Sequence, residues 1–204
     1  MVKKIEVKNM LLSINPDNPQ KRFIDRVVQE LDRGGVIIYP TDTFYGIGCD
    51  LFNKKAIQRI YQIKRRPLKK PFSFVCSDLK NISLYAQVSN FAYRIMKRSL
   101  PGPYTFILEG TKLVPKLMLT KRRAVGIRVP ENKICMEIVK ELGRPIVSTS
   151  VQLDEPSLIH DTYSSLLDLV IDGGVISYEP STVVSLIDDN LEVIRKGKGE
   201  VNFI

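Results

Sequence analysis

Apolar side chains recur at helical spacing in several separate stretches of the chain, and the first stretch is the clearest. Asn18 precedes Pro19, and apolar residues then follow at short helical intervals: Phe23, Ile24, Val27, Val28 and Leu31. Asparagine is a common helix N-cap, and proline suits the first helical position because its missing N–H would have no partner there. We predict an amphipathic helix that begins at Pro19 and stops at Gly34-Gly35.

The same spacing predicts further helices along the chain. Asn53 can cap a second helix that ends in a basic run at Lys64, and its apolar face consists of Ala56, Ile57, Ile60 and Ile63. The remaining predicted helices are a short one after Asp78, one from about Ser89 to Leu100 before Pro101-Gly102-Pro103, one through Ile134, Ile138, Val139 and Leu142 that ends at Gly143, and one near 162 to 169.

Short apolar runs between these helices predict strands at 36 to 39, 72 to 76, 104 to 109, 124 to 129, 145 to 150 and 175 to 176. Near the end, runs at 182 to 187 and 191 to 195 flank Asp188-Asp189-Asn190, a turn sequence that predicts a β-hairpin. Residues 110 to 123 are rich in lysine and arginine without periodicity, so we predict a mobile basic loop there.

Helices and strands alternate early in the chain, whereas the predicted hairpin near the end indicates antiparallel strands. This combination predicts the α/β class, with a twisted open mixed sheet flanked by helices. The chain has 204 residues, which suits one domain, and neither an internal repeat nor a proline- and serine-rich linker divides it. We therefore expect a single domain over residues 1–204.

Composition and charge narrow the possible partners. No apolar run approaches the ~20 residues of a membrane span, and the N-terminal Met-Val-Lys-Lys-Ile-Glu-Val-Lys lacks the apolar core of a secretory signal, so we expect a cytoplasmic protein without membrane contact. Lysine and arginine exceed acidic residues to give a net charge of +9. This excess fits either a polyanionic partner such as nucleic acid or a merely solubilising surface.

Several common kinds of site are excluded by the motifs that the sequence lacks. Cys49, Cys76 and Cys135 are scattered and His160 is the single histidine, so neither a metal site nor a disulfide framework is expected. The chain contains no P-loop and no Gly-x-Gly-x-x-Gly fingerprint. A Ser-His-Asp hydrolase would have to use His160, and no nucleophile elbow is present.

Two segments combine polar groups in a way that suits a small anionic ligand. Residues 39 to 50 form a hydroxyl-rich, glycine-containing segment after a predicted strand, and in α/β sheets small ligands bind beyond strand ends. Residues 64 to 71 read Lys-Arg-Arg-Pro-Leu-Lys-Lys-Pro, and the cations would hold phosphate oxygens. Cations at a helix C-terminus also complement the helix dipole, but that effect explains one or two of them rather than five.

Hydroxyl groups cluster after two other predicted strands. Ser148-Thr149-Ser150-Val151-Gln152 and Pro180-Ser181-Thr182-Val183-Val184 are the two clusters, and Arg128 lies near the end of a further strand. Each cluster alone is explained equally well by ordinary turn chemistry. Their number, rather than any one of them, favours a shared polar site.

Taken in order, these motifs resemble the YrdC/YciO family over nearly the whole chain. The matching segments are Pro-Thr-Asp-Thr-Phe-Tyr-Gly-Ile-Gly-Cys-Asp, Lys-Arg-Arg-Pro with Lys70-Pro71, Pro101-Gly102-Pro103-Tyr104-Thr105, Val125-Gly126-Ile127-Arg128-Val129-Pro130, Ser148-Thr149-Ser150, Pro180-Ser181-Thr182-Val183-Val184 and Arg195-Lys-Gly. The early Asn-Pro-Asp-Asn-Pro-Gln is similar to the YciO branch. The resemblance implies a twisted mixed sheet with a basic concave face.

The resemblance also implies an activity, threonylcarbamoyl-AMP synthesis from ATP, L-threonine and bicarbonate, which feeds threonylcarbamoyladenosine formation on tRNA. ATP would be a substrate, with Mg²⁺ on its triphosphate, and no metal site of the protein's own is implied. The family is further described as binding double-stranded RNA. The partners expected are therefore ATP, L-threonine or a similar small amine, and RNA.

Roles carried over by position divide the site residues into two sets. Lys64 and Arg66 would be the catalytic cations, and the ATP-binding set would be Lys64, Arg66, Lys70, Ser150, Gln152 and Arg195. The threonine-binding set would be Thr43, Arg128, Ser148 and Ser181. A zwitterion with a hydroxyl group needs a cation for its carboxylate and small hydroxyls for the rest, so this division is physically reasonable.

One segment departs from the pattern of the synthase branch, which has Ser-Ala-Asn where this chain has Ser150-Val151-Gln152. The change keeps an amide but moves it outward by one methylene, and a displacement of about 1 Å can cost on the order of a hundredfold in rate. Two hypotheses follow from the sequence. One is a synthase, and the other is a protein that binds RNA or nucleotide without this reaction.

Overall fold

The computed structural model describes residues 10–68 and 70–203. The predicted start of the chain and Lys69 therefore lie outside the described residues. The helices are α1 (Lys21–Asp32), α2 (Lys54–Ile63), α3 (Leu79–Tyr85), α4 (Asn90–Ser99), α5 (Lys133–Leu142) and α6 (Pro156–Tyr163). The strands are β1 (Met10–Ser13), β2 (Ile37–Pro40), β3 (Tyr45–Gly48), β4 (Ser73–Val75), β5 (Tyr104–Glu109), β6 (Ala124–Arg128), β7 (Ile146–Ser150), β8 (Leu169–Asp172), β9 (Thr182–Ser185) and β10 (Glu192–Arg195).

The strands form one ten-stranded sheet in the order β1-β8-β2-β3-β7-β4-β6-β5-β9-β10. Four neighbouring pairs are parallel, namely β1–β8, β8–β2, β4–β6 and β5–β9, and the other five are antiparallel. The predicted α/β class with a mixed sheet is thus confirmed. The predicted hairpin is also confirmed, because β9 and β10 pair antiparallel around Ile187–Asp189.

Helices cover the two faces of the sheet unequally. On one face, α2, α3, α4 and α6 bury their apolar sides against strands from β2 to β9 in a single large core. On the other face, α1 and α5 pack only over β1, β8, β2, β7 and β4. Because side chains alternate between faces along a strand, the second face of β5, β6 and β9 stays uncovered, and the functional groups lie there.

Local signals account for most helix boundaries. Asn53 caps α2 by accepting a hydrogen bond from the Ala56 N–H at 3.0 Å, as predicted. Asn132 caps α5 in the same way, and Gly143 ends that helix in the left-handed conformation with φ of 69°. The predicted start at Pro19 is wrong, because α1 begins at Lys21 after an N-cap that makes no side-chain hydrogen bond.

Two predictions in the last third are wrong. The helix predicted near 162 to 169 is instead α6, which ends at Tyr163, followed by strand β8. Strand β8 is buried on both faces between β1 and β2, and such a strand has the continuous apolar pattern that also fits a helix. Val175 is 71% exposed in a segment without regular structure, so the predicted strand at 175 to 176 does not form.

Sequence reasoning also missed β1 and β3. The predicted polar turn after residue 39 is in fact a short turn followed by strand β3, whose glycines carry no apolar pattern. The predicted loop at 110 to 123 contains one short 3₁₀ turn, Lys116–Met118, and Val114 and Met118 anchor it in the core at 3% and 0% exposure. It is therefore held to the sheet rather than loose.

Candidate functional site

A cavity of about 480 Å³ lies on the uncovered half of the sheet. Its floor is formed by side chains from β4, β5, β6, β7 and β9, among them Ser73, Thr105, Arg128 and Ser148. Its walls come from Arg66, Lys70, Pro71 and Phe72 on one side and from Tyr178, Pro180 and Ser181 on the other. A larger cavity of about 680 Å³ between α3 and α4 is lined by none of the predicted site residues that the structure describes.

One end of the cavity gathers cations that were predicted to bind phosphate. Arg66 and Lys70 line it, and the Lys64 Nζ donates a hydrogen bond to the backbone oxygen of Ser150 at 2.9 Å. Arg66 donates through Nε to the Lys70 backbone oxygen at 2.9 Å. Within residues 10–68 and 70–203, no carboxylate forms an ion pair with these three cations.

The electrostatics of this end favour an anionic ligand. Burial, and then the positive charge of Arg66, lower the pKa of Lys64 from its ordinary value of 10.5. The hydrogen-bond partners of the Lys64 and Arg66 side chains are thus neutral backbone oxygens, and Arg66 also lies over the Phe72 ring, while the two cations repel each other. A polyanion would relieve that repulsion and replace weak partners by charge-assisted hydrogen bonds.

The buried guanidinium of Arg128 lies at the other end. Its Nη2 donates to Asp42 Oδ1 at 2.7 Å and to Thr43 Oγ1 at 2.8 Å, and the residue is 1% exposed. The Phe44 ring lies over the guanidinium, with its centroid 5.0 Å from Cζ. Burial lowers the pKa of Arg128, and the charge of Asp42 opposes that shift, so the side chain stays charged.

Among the described residues, two donor atoms of this guanidinium have no hydrogen-bond partner. The Nε and Nη1 atoms of Arg128 are buried and make no hydrogen bond in the structure. Leaving a buried donor unsatisfied costs about 1–3 kcal/mol, and more for a charged group. Such a cost in a folded protein calls for an explanation, and a ligand acceptor such as a carboxylate supplies one.

The turn between β2 and β3 aims three consecutive residues at Arg128. Thr41 Oγ1 accepts hydrogen bonds from the N–H groups of Thr43 and Phe44, both at 3.2 Å, and donates to the Phe44 backbone oxygen at 2.6 Å. A threonine side chain can close a tight turn in this way. The turn thus brings the Asp42 carboxylate, the Thr43 hydroxyl and the Phe44 ring into contact with the Arg128 guanidinium.

Hydroxyl groups connect the two ends. Ser181 Oγ lies 2.8 Å from Thr105 Oγ1, and Arg195 donates through Nε and Nη2 to the Ser181 backbone oxygen at 3.1 and 2.8 Å. Ser148 and Ser150 lie two residues apart on β7, so they share one face of the strand, and both line the cavity. Members of both predicted sets, nucleotide-binding and threonine-binding, therefore border one space.

Not every predicted residue lines the cavity. Seven do: Arg66, Lys70, Arg128, Ser148, Ser150, Ser181 and Arg195. Thr43 is fully buried behind Arg128, and Lys64 contacts the wall through Ser150. Gln152 is exposed and is not among the lining residues, while the neighbouring Val151 is buried in the core, so this conformation gives no contact between Gln152 and the cavity.

Sequence reasoning did not assign roles to Asp42, Phe44, Thr105 or Tyr178. Asp42 and Phe44 flank the predicted Thr43, and Thr105 ends the motif Pro101-Gly102-Pro103-Tyr104-Thr105. Turn chemistry and the alternation of side chains along a strand could therefore have identified these three as site residues. Tyr178 offered none, because its place depends on the path of a long connection between distant strands.

No described helix has the length and apolar character needed to cross a membrane. Residues 10–68 and 70–203 contain no group of three or more histidine, cysteine or acidic side chains that could hold a metal ion. All three cysteines are buried free thiols, and burial raises the pKa of each.

The chain is similar in sequence to proteins of one known family. The profile of the Sua5/YciO/YrdC family, described as "Telomere recombination", matches residues 29–197. YciO of Escherichia coli strain K12 is 43% identical over 196 residues, which is 92% of this chain and 95% of that protein. A putative threonylcarbamoyl-AMP synthase of Methanocaldococcus jannaschii is 33% identical over 201 residues, with 94% of each chain covered.

Solved structures agree with the fold. The crystal structure of E. coli YciO superposes with a TM-score of 0.91 and 42% identity, covering 95% of this chain and 98% of that one. P. abyssi Sua5 complexed with L-threonine gives a TM-score of 0.85 at 22% identity, covering 92% of this chain and 57% of the longer Sua5 chain. From its sequence motifs, its ten-stranded sheet and these matches, the chain belongs to the Sua5/YciO/YrdC family.

Proposed function

We propose that this protein is an adenylate-forming enzyme of the threonylcarbamoyl-AMP synthase type, whose substrates are ATP, L-threonine and bicarbonate. The observation that carries the proposal is one cavity. At one end its cations have no carboxylate partner among the described residues, and at the other a buried arginine has donors that no described group accepts from. The first arrangement suits a triphosphate, and the second suits a carboxylate. The M. jannaschii relative and the Sua5–threonine complex support this assignment.

The proposed reaction needs no protein nucleophile. The threonine nitrogen adds to the bicarbonate carbon and loses a proton, and the bond from that carbon to its hydroxyl oxygen breaks, so that water leaves and a carbamate forms. One carbamate oxygen then attacks the α-phosphorus of ATP. The bond from the α-phosphorus to the bridging oxygen breaks, and pyrophosphate leaves with that electron pair. The protein's part is to position the reactants and to stabilise charge on the leaving group.

Each set of side chains has a part in this scheme. Lys64, Arg66 and Lys70 would contact the phosphates and offset the charge that develops on pyrophosphate. Arg128 would bind the threonine carboxylate, and Ser148 and Ser181 would accept or donate to its polar groups. Mg²⁺ prefers oxygen ligands such as carboxylates, and the described lining residues include none, so the protein's own groups suit the phosphates rather than the metal.

The test is a pyrophosphate-release assay with ATP and bicarbonate, with and without L-threonine. Wild-type protein should release pyrophosphate only when threonine is present. The double variant Lys64→Ala/Arg66→Ala should lose this activity, whereas Lys97→Ala/Arg98→Ala should keep it, because the latter pair removes the same charge from exposed positions on α4. Release that does not depend on threonine, or that survives the first variant, would rule the proposal out.

A second candidate, an RNA-binding protein without this reaction, is favoured by one observation. The turn that carries Thr120 and Ala124 into the cavity wall displays the exposed pair Lys121-Arg122 at the surface. Cations beside a nucleotide cavity suit a phosphate backbone, and such binding weakens steeply with salt. Salt-sensitive binding of structured RNA, with no threonine-dependent release of pyrophosphate, would favour this candidate.

A further inference from the structure

The connection between β8 and β9 contributes a wall of the cavity. Strand β8 is second and β9 is ninth in the sheet order, so residues 173 to 181 must pass most of the sheet. At about 4.8 Å per strand this is roughly 34 Å, close to the full reach of a connection of that length. The segment has no regular structure, and we call it the strap.

The strap is anchored firmly at Pro180 and Ser181, through hydrogen bonds with Lys198, Arg195 and Thr105, and more sparsely before them. The Glu179 N–H donates to the Thr43 backbone oxygen at 3.0 Å, and the Ile176 N–H donates to the Asp154 backbone oxygen at 3.2 Å. Between these two hydrogen bonds, Tyr178 projects into the cavity wall while 40% exposed. A segment with exposed backbone and few buried contacts belongs to the least stable part of a fold.

Tyr178 completes a stack of planar groups over the carboxylate site. Its ring lies 5.9 Å from the Phe44 ring at an interplanar angle of 30°, and Phe44 lies over the Arg128 guanidinium. Phe44 is 7% exposed. The order from solvent inward is therefore Tyr178, Phe44 and Arg128.

The two donor atoms are not open to solvent in this conformation. Within the part of the chain that the structure describes, the Nε and Nη1 atoms of Arg128 have no hydrogen-bond partner, and both are buried. An acceptor must lie about 3 Å from each donor, so a ligand reaches them only when a neighbouring side chain shifts. Tyr178, which is 40% exposed in the cavity wall, is the outermost of the stacked groups.

We propose that Tyr178 is the specificity-determining residue of the carboxylate site: with Phe44 it closes over Arg128, yields to an entering amino acid, and then packs against that ligand's side chain. This inference depends on the proposed function for the identity of the ligand class. The expected selection is for small amino acids, because the Tyr178 ring takes up part of the cavity beside the carboxylate site.

The absence of tryptophan from the sequence makes ring movement directly measurable. Tyr178→Trp introduces a single indole fluorophore into the stack, and its emission should change in intensity or wavelength as L-threonine is titrated. Tyr93→Trp is the matched control, because Tyr93 is similarly exposed at 44% but lies on α4, outside this cavity. The control should show no change.

Calorimetry on the full chain then tests selectivity, with L-threonine and L-phenylalanine as probes. Wild type should prefer threonine, and Tyr178→Ala should reduce that preference by about tenfold or more, which corresponds to about 1.4 kcal/mol. Tyr178→Phe keeps the ring and should keep the preference. A preference that changes less than about twofold in Tyr178→Ala would overturn the proposal, as would unchanged emission while calorimetry registers threonine binding.

The possible failures are distinguishable. If wild type binds threonine and the Tyr178 variants behave as stated, but no pyrophosphate is released, the proposed synthase reaction is wrong and the proposal for Tyr178 stands. If pyrophosphate release depends on threonine but the Tyr178 variants keep the wild-type selectivity and emission, only the proposal for Tyr178 is wrong. If wild type binds no threonine, both are overturned.

Discussion

The substitution Asp42→Asn tests whether the carboxylate site is as desolvated as its geometry indicates. The Asp42 and Arg128 side chains are 8% and 2% exposed and form an ion pair at 2.7 Å. Removing one charge of such a pair leaves the other buried without compensation, which costs about 3–5 kcal/mol. The asparagine oxygen can still accept from Nη2, so we expect the lower end, about 3 kcal/mol.

A loss of that size is large against a typical domain stability of about 5–15 kcal/mol. For a chain of this length it corresponds to a fall in the melting temperature of roughly 6–12 °C. Urea denaturation measures the free energy of unfolding for wild type and variant, and an unchanged slope would indicate that the two-state comparison holds.

The double variant Asp42→Asn/Arg128→Met provides the control for this reasoning. It removes both charges, so its loss of stability should be smaller than that of Asp42→Asn alone. A single-variant loss below about 1 kcal/mol, or a double variant whose loss equals the sum of the two single losses, would refute the view that Asp42 compensates a buried charge.

Three further predictions concern other parts of the protein. Because the pKa of Lys64 is lowered, this lysine loses its charge at a lower pH than an ordinary lysine, and ATP affinity measured by calorimetry should fall at that lower pH. Lys64→Arg should move the loss of affinity to higher pH, because arginine stays charged. A pH profile that is the same in wild type and variant would contradict this. Gly48→Ala places a Cβ against the Tyr39 ring and a backbone oxygen, so it should cost about 1–3 kcal/mol in urea denaturation, and no loss would contradict the packing. If RNA binds at the cavity mouth, Lys121→Ala/Arg122→Ala should reduce the slope of log affinity against log salt by roughly two, and an unchanged slope would exclude that surface.

Rules for helix caps, helix ends and turns correctly predicted the features that depend only on residues adjacent in the sequence. The Asn53 cap of α2, the Gly143 end of α5 and the β9–β10 hairpin each need only a few adjacent side chains, and all three are confirmed. The mixed sheet was predictable as well, because both alternating and antiparallel patterns are present in the sequence.

Elements whose pattern depends on distant neighbours were not predictable. Strand β3 looks like part of a polar turn because Gly46 and Gly48 replace apolar residues, and the reason is that the Tyr39 ring of the adjacent strand occupies their side-chain space. Strand β8 has a continuous apolar pattern because its two faces are buried in the two cores on either side of the sheet. In each case the explanation is a contact with a distant part of the chain that the local sequence does not encode.

In the candidate site, too, some features were predictable from the local sequence and others depend on distant contacts. The cationic segment and the hydroxyl clusters were identifiable from residue type and position, and most of their members line one cavity. The unpartnered donors of Arg128 and the ring of Tyr178 above them depend on burial and on the path of the strap, so only the folded chain displays them.

The most direct test of the central claim is to detect the adenylate itself. Wild-type protein, ATP, L-threonine and bicarbonate enriched in carbon-13 should yield threonylcarbamoyl-AMP that carries one heavy carbon, measured by mass spectrometry, and omission of threonine should abolish it. If no such adenylate forms even at protein concentrations comparable to those of the substrates, the claim that this cavity joins threonine to ATP is contradicted.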